Sequence, residues 1–175
     1  MSIRVVAYIA EGVASGVVAR TGHLRDVLES GDPLILERAT WRAWGDPADR
    51  PAGELRLAPD DVLIAVADDD PTIPVHASWH AIRLEAGPYV VEGELPTLPG
   101  YDPGRALARP TGEFVMLRDV RLGAMPAADA TTSIGHHALV NRYGVDRVRA
   151  DIMLGFFFPG AVLEGVEDEA APATT

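Results

Sequence analysis

Four histidines, His76, His80, His136 and His137, are the residues of this chain best equipped for chemistry. Imidazole is the commonest protein metal ligand, and two imidazoles four residues apart on a helix can grip one zinc ion. His76 and His80 have that spacing, but Ala77 stands where a metalloprotease helix carries glutamate. The repeat described below makes this segment a strand, on which the two rings would lie roughly 13 Å apart, too far to share an ion. His136 and His137 are adjacent, so a strand would send them to opposite faces. A metal-dependent enzyme built on these four histidines is therefore an alternative reading, and no cofactor is expected.

Other candidate sites are weaker. Tyr101, Arg105 and Arg109 lie in a proline-rich stretch, where they would either clamp an anionic ligand or brace acidic loops at a subunit contact. Asp60-Asp61 and Asp68-Asp69-Asp70 bracket one apolar run, without the alternating acids, central glycine and terminal glutamate of a calcium loop. None of the five serines sits in a Gly-x-Ser-x-Gly elbow. All 15 basic residues are arginine, so Schiff-base lysines and the phosphate-cradling lysine of a P-loop are excluded. There is no cysteine, which removes disulfides and thiolate chemistry. No catalytic residue is assigned, and the reading leans away from an enzyme.

The strongest signal is apolar. Ile152 to Leu163 contains Phe156, Phe157 and Phe158 in succession, and three consecutive side chains cannot share one face of a strand. Exposed, such a run invites aggregation, so it is expected to be buried, in the chain's own core or against another subunit. Leu154, Phe156, Phe157 and Phe158 are the expected contact residues, with Trp41 and Trp44 as secondary ones. The acidic residues 164–175 read as a disordered solubilising tail.

Around these residues the chain repeats itself. Gly16 and Gly93 sit alike within apolar runs, Leu34–Trp41 matches Val115–Leu122 in pattern, and Val62–Asp68 matches Val145–Asp151. The offsets are 77, 81 and 83, so order is kept while loops grow. Ile3 to Ile9 alternates as a strand, His23–Glu29 reads as a short helix stopped by Gly31-Asp32-Pro33, Gly45–Gly53 reads as a loop, and short strands separated by turns fill the rest. The expected fold is all-β with short helical turns. It comprises two tandem, internally duplicated small β-barrel-like units, residues 1–70 and 75–163.

The segment Gly16–Ala39, with His23-Leu24-Arg25-Asp26-Val27-Leu28 before Pro33-Leu34-Ile35-Leu36, resembles uncharacterised bacterial small-barrel proteins of Sm-like or SH3-like type. Those carry a short Arg-Leu-Ser-Asp-like turn before an apolar strand; here His23 and Arg25 replace the Arg and Ser. The resemblance covers about a quarter of the chain, implies a small barrel, and carries no activity with it. The expected role is a non-catalytic self-assembling scaffold or accessory subunit, with protein partners and a homo-oligomeric state. A barrel binding a small ligand or oligonucleotide is the alternative. A formal net charge of −11 opposes nucleic acid, which is not an expected partner. No run is long enough for a membrane span, and the expected location is the cytoplasm.

Overall fold

Apolar alternation becomes strand wherever one face can be buried. In the computed structural model, which describes residues 2–19, 22–69, 76–98, 112–125, 130–154 and 157–164, Ile3, Val5, Ala7 and Ile9 point inward from β1 (Ser2–Ile9). β2 (Gly12–Ala19) returns against it, and the short helix α1 (Leu24–Leu28) buries Leu24 and Leu28 before β3 (Leu34–Ala43) begins. β4 (Arg50–Leu57), a 3₁₀ turn (Pro59–Asp61) and β5 (Ile64–Ala67) complete the first half. The second half holds β6 (Ser78–Ala86), β7 (Tyr89–Thr97), β8 (Phe114–Ala124) and β9 (Thr132–Asn141). A second 3₁₀ turn (Arg142–Gly144), β10 (Arg147–Ala150) and β11 (Val162–Glu164) follow. Among the described residues no helix is long and apolar enough to cross a membrane.

The strands form one eleven-stranded sheet in the order β11-β10-β6-β7-β8-β9-β5-β1-β2-β3-β4, which does not close. Every pairing is antiparallel except β10 with β11. The same spatial order occurs in each half, β5-β1-β2-β3-β4 and β10-β6-β7-β8-β9. Each half has a 3₁₀ turn before its fifth strand, and a non-glycine residue at positive φ in its third, Arg38 at 50° and Asp119 at 51°.

Gly16 and Gly93 occupy matching places. Gly16 pairs with Val5 and Gly93 with Ile82, and a bulge interrupts the next ladder beside each. A Cβ on Gly16 would come within 2.9 Å of the Glu37 carbonyl oxygen and of Leu36 Cβ; on Gly93 it would meet the Arg118 carbonyl oxygen at 3.0 Å. Close backbone approach therefore requires glycine at Gly16 and leaves a Cβ at Gly93 a tight fit.

Two cores sit on opposite faces where the halves join. One gathers Val5, Ala7, Leu34, Leu36 and Phe114 beneath α1; the other gathers Tyr89, Val91, Leu117, Val140 and Phe158. β5 serves both, because successive strand side chains alternate: Ile64 enters the second core and Ala65 the first. The halves are joined across the sheet by β5 and β9, which pair only at Ile64–Val140 and Ala65–Leu139.

The sequence reading differs from the structure in two elements. Gly45–Gly53 was expected as loop, yet β4 starts at Arg50 and carries Pro51 and Gly53. An edge strand tolerates both residues, and with Leu57 its one buried residue β4 lacks the alternation that reveals a strand. Phe157–Gly160 bend and turn rather than continue a strand, which changes where Phe157 and Phe158 point.

Candidate functional site

The C-terminal apolar run divides into a buried half and an exposed half. The Phe157 N–H donates to the Leu154 carbonyl at 2.8 Å, and the Ala161 N–H to the Phe158 carbonyl at 3.2 Å. Gly160, at φ 82°, completes the turn. Because this backbone turns, Phe157 and Phe158 both face inward, with rings 6.3 Å apart and exposures of 7% and 1%. Leu154 is buried beside them. These three side chains are core of this chain, so their assignment as a contact surface is corrected; Phe156 lies outside the described residues.

Arg142 fixes this arrangement. Its side chain is buried, its Nε donates to the Phe157 carbonyl at 2.7 Å, and its guanidinium also donates to the Gly112 carbonyl. Desolvation pulls its pKa down, but an arginine stays charged. Beyond the turn the chain surfaces as β11, held to β10 by the Val162 N–H on the Asp146 carbonyl at 2.9 Å. Arg147 pairs with Glu164 and, at 3.5 Å, with Glu85. Arg149 reaches Glu164 at 3.7 Å, so these arginines are neutralised locally and do not form a basic patch with Arg142.

Val162 and Leu163 of this last strand, which forms an edge of the sheet, remain 56% and 46% exposed. The other edge, β4, has Pro51 and the ion pairs Arg50–Asp46 at 2.8 Å and Arg56–Glu54 at 3.0 Å. Proline and charge are the usual protection against strand addition. The β11 edge carries charge as well, at Glu164, but unlike β4 it also exposes Val162 and Leu163. The sequence marks the whole run as apolar; only the turn decides which members are exposed.

The remaining candidates scatter. Trp41 packs half-buried on the first core, while exposed Trp44 meets the Tyr89 ring edge-on at 5.4 Å. His76 is exposed at φ 68°. His80 Nε2 lies 3.0 Å from Thr97 Oγ1, and its Nδ1 lies 3.6 Å from Asp151. His136 is 94% exposed, 3.9 Å from Asp119, and His137 lines a cavity at the junction of the halves. The histidines therefore go to separate partners, and among the described residues no three metal-ligating side chains form a group able to hold an ion. Asp68 accepts the Arg4 N–H at 2.8 Å, a structural role. Tyr101, Arg105, Arg109 and the expected tail beyond Glu164 lie outside the described residues.

No family model, curated protein or solved structure matches the chain.

Proposed function

We propose that this chain is a non-catalytic, self-assembling accessory subunit that associates through the β11 edge. It is read as two related small β-barrel-like units of SH3-like or Sm-like type, residues 1–70 and 75–163. The shared strand order and the matched Gly16 and Gly93 contacts support that reading. The observation that carries the function is the contrast between the two sheet edges: charge and Pro51 on β4, exposed Val162 and Leu163 on β11. A second copy is the occupant that suits such an edge, because antiparallel pairing of β11 with itself is twofold symmetric and closed. Leu163 then faces its own counterpart, and Val162 stands opposite Glu164 of the copy. Sheet extension supplies backbone hydrogen bonds to the edge and burial supplies the driving force.

The absence of cysteine allows a clean test. Residues directly opposite in an antiparallel pair have Cα atoms about 4.5–5.5 Å apart, within disulfide range. Leu163→Cys is expected to form a covalent dimer rapidly under mild oxidation, and Arg56→Cys on β4 is not. Equal, slow cross-linking of both variants would show that β11 does not meet its copy.

A further inference from the structure

We infer that the cavity at the junction of the two halves is a binding site for a small aromatic cation. The cavity forms because the inter-half ladder is so short. Past Ala65–Leu139, β5 stays with β1 while β9 stays with β8, so the two strands part. On that side β5 presents only the methyl groups of Ala65 and Ala67 where a branched residue would fill the space. The volume left is about 150 Å³. An apolar cavity of that size accommodates a benzene ring.

Its walls determine the chemistry. Ala65, Ala67, Leu139 and the Met116 thioether make an apolar lining, and sulfur against an aromatic ring is a favourable contact. The first turn of α1 and the end of β5 bring two carboxylates to the same cavity, Asp26 and Asp69. Asp26 accepts the His23 N–H at 3.0 Å, and Asp69 lies 3.5 Å from the Leu24 N–H. A carboxylate accepts up to about four hydrogen bonds, so Asp26 retains acceptor capacity. Arg25, which shares this wall with His23 and His137, is paired with Glu29 at 3.1 Å. The net charge of −11 adds a field that draws cations in and keeps anions out. A flat apolar body with a positively charged donor edge, an aryl amidine or aryl amine, matches ring-sized space, apolar walls and acidic rim together. This site is separate from the β11 edge and does not depend on it.

Benzamidine and its neutral isostere benzamide test the assignment, with binding followed by NMR at the Met116 methyl and the His137 ring. Benzamidine is expected to bind saturably, with a dissociation constant on the order of 0.1–1 mM, and about tenfold more tightly than benzamide. Asp69→Asn should erase most of that preference, and Ala67→Leu should abolish binding of both while circular dichroism shows a retained fold. Should Ala67→Leu fail to fold, the loss of preference in Asp69→Asn decides alone. No saturable shift at Met116 and His137, equal affinity for the two probes, or an unchanged preference in Asp69→Asn would overturn the proposal.

Discussion

The hydroxyl of Tyr89 donates to the carbonyl of Ile9 across 2.8 Å, tying the start of β7 to the end of β1. The Gly12 carbonyl lies 3.0 Å from the same hydroxyl, so one side chain of the second half serves both ends of the first hairpin turn. Tyr8 and Trp44 pack edge-on against the ring at 5.5 and 5.4 Å. This contact joins the halves at a point where sheet pairing does not.

Tyr89→Phe keeps the ring and leaves both carbonyls without the hydroxyl. The expected loss is about 1–3 kcal/mol at neutral pH, measured by urea unfolding. Burial, and then the neighbouring Tyr8, push the Tyr89 pKa from 10.0 up to about 12. A raised pKa means the folded state favours the neutral phenol. That stability is therefore whole below the unfolded value of about 10 and is lost as pH climbs toward about 12. The wild type should lose stability steeply over that window and Tyr89→Phe less steeply. Tyr8, also raised by burial, leaves a residual slope in the variant.

Arg142→Lys should loosen the C-terminal turn. Lysine lacks the planar fork that reaches the Phe157 and Gly112 carbonyls together, so at least one buried acceptor loses its donor. A cost of about 2–3 kcal/mol is expected, together with faster amide exchange and proteolysis across residues 150–164. Unchanged protection there would show that the turn is held by packing of Phe157 and Phe158 alone.

Gly16→Ala and Gly93→Ala should both destabilise, the first more. The added Cβ would be 2.9 Å from two atoms at Gly16, but 3.0 Å from one carbonyl oxygen and 3.4 Å from Leu117 Cβ at Gly93. A cost of about 1–3 kcal/mol at Gly16, and a smaller one at Gly93, is expected from thermal melts. A neutral Gly16→Ala would remove the close-approach account of these two glycines.

Where a strand has one buried face, its residues announce it: Ile3, Val5, Ala7 and Ile9 mark β1, and Leu34 with Leu36 marks β3. Gly16 and Gly93 were legible as a matched pair because a close backbone approach leaves a glycine in the sequence itself. β4 was not legible, since an edge strand of Arg50-Pro51-Ala52-Gly53 has little to bury. The division of the C-terminal run was hidden for another reason. Adjacent Phe157 and Phe158 both turn inward where Arg142, fifteen residues upstream of Phe157, donates to the carbonyl between them. The junction cavity leaves still less trace, because Ala65 and Ala67 become a cavity wall only when β9 parts from β5. Contacts between distant segments are not written in local periodicity.

Light scattering after size exclusion, on wild type and Leu163→Asp, decides whether the chain associates through the β11 edge. Leu163 is exposed, so aspartate there leaves the core untouched, whereas Phe158→Asp would unfold the chain and decide nothing. A wild-type mass twice that of the 18.7 kDa chain is expected, with a folded Leu163→Asp variant at the monomer mass. A monomeric wild type at micromolar concentration, or a variant that remains dimeric, would contradict it.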